Sequence, residues 1–319
     1  MNILIIKLGA TGDVVRTTTL LEKFTCGITW VTAAKNLPLL AGLQENLHSL
    51  SWEERHLAAN KSYDLVINLE DTLEVGLFVQ SLKFGRVFGA FLDTDNRLTY
   101  TDDSREWFDL SLISRFGKQA ADRLKLENRR TYQDLVFAGL GFLFNGEAYR
   151  LPEPAWTNLV GDVAIAPEAG PVWPMKNWAY YDLLKEKLGA RGLVVNVLPR
   201  RETLLEHLGD VRNHRCLVGG DSLPMHFALG VGARCVTLFT CTSPWEIHDY
   251  GLQQKIISPL LAEFFYQRGM DRRAITAISM ENVCDAVMNQ LEASVASSGI
   301  AKRPLETHCQ PGKPARSVI

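Results

Sequence analysis

Residues 2–24 read NILIIKLGATGDVVRTTTLLEKF. An apolar run, Asn2 to Leu8, stops at a glycine-bearing turn, and an amphipathic stretch from Val14 to Phe24 follows, so the segment predicts strand, tight loop and helix. The pattern repeats: Ile28 to Thr32 predicts a strand, Leu37 to Leu43 a helix, Tyr63 to Leu69 a buried strand and Glu74 to Leu82 a helix. Continuous apolar strands with helices between them predict a parallel sheet covered on both faces.

From Asp93 to Arg130 the chain turns polar, with apolar residues at helical spacing in Trp107 to Phe116, which predicts a helical insertion ahead of an apolar helix at Tyr132 to Phe144. The proline-punctuated Leu151 to Trp156 predicts a linker. The alternation then restarts, with strands expected at 163–166, 193–198, 216–218 and 235–239, and helices at 178–188, 203–208 and 224–230. Residues 258–265 and 280–293 predict closing helices. We expect one domain at 1–152, a second at 153–293 and a disordered tail at 294–319.

The composition fits a soluble globular chain. Of 319 residues 46% are hydrophobic and 22% charged, and the net charge of -2 gives no general attraction to nucleic acid or anionic lipid. The longest apolar run, Leu135 to Phe144, is about half the ~20 residues that span a bilayer. Six scattered cysteines without metal-ligand spacing predict reduced thiols, hence a cytoplasmic setting.

Three loops between strand and helix carry the chemistry. The first holds Lys7, Gly9, Gly12, Asp13 and Arg16. Its glycines let backbone N–H groups face a ligand, and Asp13 reads either as a helix N-cap or as a carboxylate aimed into a cleft. The second is GGDSLPMH, residues 219–226, where Asp221, Ser222, free helix amides and His226 converge on one end, suited to a phosphorylated, hydroxyl-rich ligand. The third, PEAGPVWPMKNW at 167–178, places Lys176 before a helix as a mobile cation for a phosphate. Asp93-Thr94-Asp95 reads as a turn, and no metal or other cofactor is expected.

A rival reading joins the GATG loop to Tyr181 and Lys185, whose spacing matches the catalytic pair of NAD(P)-dependent short-chain dehydrogenases and sugar-nucleotide epimerases. Arg16 stands where the dinucleotide fingerprint wants a third glycine, and the second strand ends without an acidic residue for a ribose. Tyr181 and Lys185 therefore read as a solvated helix face.

Taken in order, ILIIKLGATGDVVRTTTLL, YDLVINL, Pro174 to Trp178, GGDSLPMHFALGVGARCVTLF and the Thr242-Ser243-Pro244 turn resemble glycosyltransferase family 9, the ADP-heptose:lipopolysaccharide heptosyltransferases and their relatives. The resemblance covers most of residues 1–252. It implies a GT-B fold, two Rossmann-like domains facing a cleft, with the acceptor on the first and the nucleotide sugar on the second. It also implies closing helices, here 280–293, that cross back to the first domain. By the same resemblance Asp13 is the general base, Lys7, Gly9, Gly12 and Arg16 form the acceptor-side loop, and Lys176, Asp221, Ser222, His226 and Thr242 bind the donor. The implied activity is inverting, metal-independent transfer of a heptose-like sugar from an ADP-linked donor to a glycan or glycolipid, with at most peripheral membrane association at the inner face. Arg105, Arg115, Arg129 and Arg130 of the insertion are candidate acceptor contacts. Three departures bear on the donor: Leu223 replaces a glycine, Phe239-Thr240-Cys241-Thr242 replaces FGPT, and Val195 to Leu217 is short, as if a βα unit had been trimmed.

Overall fold

The computed structural model describes residues 1–300, with side chains through Ser294; the remainder of the expected tail, 301–319, lies outside the described residues. Two parallel sheets organise the chain. The first contains β1 (Asn2–Ile6), β2 (Gly27–Thr32), β3 (Leu47–Ser51), β4 (Ser62–Asn68), β5 (Lys83–Leu92) and β6 (Leu98–Tyr100) in the order β3-β2-β1-β4-β5-β6, with only β6 antiparallel. The second contains β7 (Gly161–Ala166), β8 (Val195–Val197), β9 (His214–Gly220), β10 (Arg234–Phe239) and β11 (Gln253–Ile257) in the order β11-β10-β9-β7-β8. The first order is that of a dinucleotide-binding sheet; the second lacks the strand that would lie outside β8. That gap coincides with the short stretch after Val195.

Both faces of each sheet carry an apolar core. Ile3, Ile5 and Trp30 pack on one side of the first sheet and Leu4, Ile6 and Val66 on the other. In the second, Leu217 and Phe239 face one core while Cys216, Val218 and Leu238 face its opposite. Alternate residues of a buried strand point to opposite faces, so an unbroken apolar run serves both. Val15 and Leu39 of the first half join the core around Met225, Phe227 and Ala228, so an apolar seam links the halves. Polar links reinforce it: Tyr132 N–H donates to the Glu246 carbonyl at 3.0 Å, Gln133 Nε2 to the Tyr250 hydroxyl at 3.3 Å, and Arg129 lies 3.8 Å over the Trp245 ring.

Several expectations are corrected. The predicted helix after the first loop is α-helical only over Thr11–Thr17 and tightens to a 3-10 helix over Thr18–Lys23. Thr17, Thr18 and Thr19 donate their hydroxyls to the carbonyls of Asp13, Val15 and Arg16, a local competition that disturbs regular α-helix. The insertion opens with the β5–β6 hairpin, and Trp107 to Phe116 is not one helix. Helix ends at Phe108, where Ser111 accepts from Ile113 N–H and donates to the Phe108 carbonyl, and it resumes at Lys118–Glu127. Asp93 turns the hairpin by accepting from the N–H groups of Asp95 and Arg97.

The closing helix Met280–Ile300 packs on the second sheet and on the Tyr181–Gly189 helix through Val283, Val287 and Leu291, so among the described residues its packing is on the second domain, not across to the first as expected. It runs into residues assigned to the tail, because extending an established helix costs far less than starting one. Among the described residues no helix is long and apolar enough to cross a membrane. The described cysteines are unpaired, and Cys309 lies outside the described residues.

Gly89, in β5, has φ +101°, and a Cβ there would lie 1.8 Å from the Asn68 carbonyl oxygen. Gly89→Ala is therefore expected to destabilise the first domain by at least about 2 kcal/mol, read as a lowered midpoint of urea unfolding; an unchanged midpoint would contradict this strand geometry.

Candidate active site

In each sheet the strand order reverses beside the first strand, and the carboxyl ends of β1 and β4 meet those of β7 and β9 across the interdomain cleft. Ligands of open α/β sheets sit at such reversal points. From the first domain, Lys7, Gly9, Gly12, Asp13 and Arg16 line a cavity of about 410 Å³; from the second, Lys176, Asp221, Ser222, His226 and Thr242 line the same cavity. All ten candidates are thus brought together.

β1 delivers Lys7, buried, with its ammonium 2.8 Å from Glu70 Oε1. The same oxygen accepts from Leu8 N–H at 2.8 Å and Gly9 N–H at 3.4 Å, so Glu70, two residues past β4, fixes the loop. Ala10 occupies the N-cap position with no side-chain cap, and Asp13 is the third helical residue; its carboxylate does not cap the helix. It lies 2.9 Å from Arg16 Nη2 and 4.0 Å from Lys7 Nζ, with 33% of the side chain accessible. Burial pushes the Asp13 carboxyl up, but Arg16 and then Lys7 outweigh it and hold the group below the usual carboxylate range.

Arg16 is buried at the domain junction, its guanidinium 4.1 Å from the Tyr132 ring centroid and 5.5 Å from that of Trp107. Its second terminal nitrogen lies 3.8 Å from Glu246 Oε2 on the opposite domain, and Lys125 Nζ lies 3.5 Å from Glu246 Oε1.

Across the cleft, Lys176 ends a short 3-10 turn, Pro174–Lys176. It is not the mobile cation expected: its Nζ donates to the Asp221 carbonyl at 2.6 Å and to Asp221 Oδ2 at 3.0 Å, while the Thr242 hydroxyl donates to the same Oδ2 at 2.9 Å. Burial disfavours the Asp221 charge, yet Lys176 and these hydrogen bonds bring its carboxyl down to about 2. Ser222 is the N-cap of the Leu223–Gly230 helix, and Pro224 sits in the first turn, where its missing N–H costs nothing. The Ser222 hydroxyl makes no cap hydrogen bond; because Pro224 has no N–H and the Met225 N–H donates to the Ser222 carbonyl at 3.1 Å, the Leu223 amide is the one the first turn leaves for the cleft.

His226, one turn on, is buried, and its Nδ1 has no hydrogen-bond partner in the protein. The ring packs directly on the first domain: a Cβ on Gly12 would lie 2.6 Å from His226 Cδ2, so any larger residue there requires the imidazole to move. Burial, with help from Arg16 and Lys176, lowers the imidazole to about 4, so it is neutral at neutral pH.

A second cavity of about 740 Å³ adjoins the first behind Ser222 and Leu223. Pro167, Glu168, Arg200 and His207 line it from the second domain, and Lys35 and Pro38 from the first. Leu223, at the position where the family motif has glycine, lines both cavities.

The dehydrogenase pairing is excluded by position. Tyr181 is not on a solvated face: its ring packs on Trp178 in the second core, because the residue falls on the inner stripe of its helix with Leu184 and Leu188. Lys185 points to solvent, and neither residue lines the cleft. The insertion arginines do not line it either. Arg115 pairs with Asp109, Arg130 with Glu106, Arg129 stacks on Trp245, and Arg105 is exposed. The insertion reaches the cleft through Trp107, Phe108, Leu112 and Lys125 instead.

The pH dependence of stability follows from these environments. His226 goes from an ordinary 6.5 when unfolded to about 4 when folded, so its contribution is complete above pH 6.5 and is lost as pH falls towards 4. That gap is worth about 3 kcal/mol. We expect wild-type unfolding free energy to fall between pH 7 and pH 4.5, and His226→Gln to flatten that limb; an equally steep fall in the variant would show that His226 titrates normally.

Comparison with known proteins now adds to the geometry. Residues 166–265 match the family model described as glycosyltransferase family 9 (heptosyltransferase). No curated protein matches the chain. Among solved structures, the glycosyl transferase family 9 protein from Veillonella parvula is similar with a TM-score of 0.64 and 16% identity, over 92% of this chain and 97% of that one. E. coli heptosyltransferase WaaC with ADP gives a TM-score of 0.56 and 14% identity, over 93% of this chain and 100% of that one. E. coli ADP-heptose lps heptosyltransferase II gives 0.57 and 15%, over 92% and 100%. At these identities the structural likeness speaks for the fold and the family model for the second half. Residues 166–265 thus match the glycosyltransferase family 9 model, in a chain whose two-domain α/β fold is that of the GT-B glycosyltransferases it resembles.

Proposed function

We propose that the protein transfers a heptose-like sugar from an ADP-linked donor to a carbohydrate hydroxyl, with inversion, in the assembly of lipopolysaccharide or a related surface glycan. One observation carries the reading: a partly accessible, ionised carboxylate of the first domain, Asp13, faces the Lys176 loop and the Leu223–Gly230 helix N-terminus of the second across a cavity of about 410 Å³. That is the arrangement in-line displacement needs, with a proton acceptor on one side of the anomeric carbon and an anion site on the other.

In this reading the adenosine lies in the 740 Å³ cavity and the diphosphate crosses the Ser222–Leu223 edge. As the acceptor oxygen attacks the anomeric carbon, Asp13 takes its proton and the bond to the diphosphate oxygen breaks. The departing ADP carries the negative charge. The Leu223 amide at the helix N-terminus and Lys176 stabilise it, with Lys176 shared between Asp221 and phosphate. His226, neutral at physiological pH, supplies a polar ring atom without adding positive charge. Leu223 narrows the approach of backbone to donor, which shapes donor preference. A nucleotide-sugar donor places the reaction in the cytoplasm, and a glycolipid acceptor would bring the enzyme to the inner membrane face.

Calorimetry of the whole chain is expected to show binding of ADP and ADP-heptose and none of NADH; binding of NADH alone would overturn the reading. Asp13→Asn is expected to lower turnover by about 10²–10⁴-fold with donor affinity largely kept, because an amide cannot take the proton. Steady-state transfer to a deacylated lipopolysaccharide core oligosaccharide measures this, and full turnover by the variant would remove Asp13 from the mechanism.

A further inference from the structure

Asp13 has two cations within 4.0 Å. Each would make the carboxylate a weaker proton acceptor, an opposite charge at this range typically costing about 1–3 pH units of basicity. The structure divides both cations with other carboxylates. Lys7 Nζ lies 2.8 Å from Glu70 and 4.0 Å from Asp13, so its close ion pair is with Glu70. Arg16 gives one terminal nitrogen to Asp13 at 2.9 Å and turns the other towards Glu246 at 3.8 Å. The result is a row of alternating charge through the cleft: Glu70, Lys7, Asp13, Arg16, Glu246 and Lys125.

We infer that Glu70 and Glu246 are positioning residues which keep Asp13 basic enough to accept a proton, by sharing the positive charge of Lys7 and Arg16 with its carboxylate. The inference rests on the reading of Asp13 as general base. The other groups facing Asp13 are His226, Asp221 and Tyr132. His226 is uncharged at neutral pH, Asp221 is paired with Lys176, and the Tyr132 phenol is kept protonated by burial, which leaves Arg16 and Lys7 as the cations acting on Asp13 and Glu70 and Glu246 as the carboxylates that share them.

The two glutamates differ in an informative way. Glu70 belongs to the first domain and acts whatever the second is doing. Glu246 lies on the loop after β10, in the second domain, and is buried beside Tyr132 and Lys125 only while the domains are docked. With the domains apart, Asp13 would be the one carboxylate left to Arg16, beside the Tyr132 and Trp107 rings. Basicity at Asp13 is thereby tied to the docked arrangement, in which the donor loops also face the cleft.

The test is a double-mutant cycle on the full chain, with ADP-heptose as donor and a deacylated lipopolysaccharide core oligosaccharide as acceptor. Glu70→Gln and Glu246→Gln are each measured in the wild-type and Asp13→Asn backgrounds. In the wild-type background each is expected to lower kcat by about 10-fold with donor KM within about 2-fold, and in the Asp13→Asn background to cause no further loss. Glu246→Asp, which restores the charge, is expected to recover part of the kcat. An equal loss in both backgrounds, or unchanged kcat in the single variants, overturns the inference. Wild-type turnover by Asp13→Asn alone would instead overturn the base assignment beneath it. If Glu246→Gln does not fold, Glu70→Gln, in the other domain, gives the same decision.

Discussion

Arg16 is a guanidinium held almost out of water between two domains, and the organisation of the cleft follows from the need to satisfy it. An unpaired buried charge costs several kcal/mol, so its partners have to come from wherever the fold can bring them. Asp13 reaches it from the same helix turn, the Tyr132 and Trp107 rings offer their faces, and Glu246 arrives from the other domain. The same set of contacts therefore joins the domains and acts on the charge state of a partly accessible carboxylate in the cleft, Asp13.

Around that junction the two sheets do complementary work. The first supplies a loop whose geometry is fixed by one glutamate oxygen accepting from an ammonium and two backbone amides. The second supplies a helix terminus with its amides uncapped by a side chain, and beside it an aspartate that holds a lysine near the anion site. The domains meet closely at Gly12 and His226, where a side chain on the glycine would displace the imidazole. A single small residue thus sets how closely the two halves of the cleft approach.

The sequence made the alternation of strand and helix readable where strands were apolar runs, because burial on both faces leaves no polar position to interrupt them. It hid strands with polar content: β3 (LHSLS), β11 (QQKII) and the short β6. The loops of the cleft could be read because their glycines, charges and caps are contiguous in the chain. Glu70 and Glu246 could not, although Glu70 directly follows a predicted strand and Glu246 follows the Thr242-Ser243-Pro244 turn, since their meaning depends on distances across the fold. The insertion misled for a related reason. Its arginines suggested a ligand surface, yet they are spent on nearby acids and on Trp245, while Trp107 and Lys125 reach the cleft. Tyr181 misled in the opposite direction, because a tyrosine on a polar helix can still fall on its buried stripe.

The central claim is that a nucleotide sugar held by the second domain presents its reacting carbon to Asp13 of the first. A crystal structure of the whole chain with ADP-heptose bound measures this directly. The account predicts the diphosphate within hydrogen-bond distance of Lys176 Nζ and the Leu223 amide at the start of the Leu223–Gly230 helix, with the anomeric carbon open on the side facing Asp13. A nucleotide seated away from that amide, or a sugar turned so that its anomeric carbon faces away from Asp13, would contradict it.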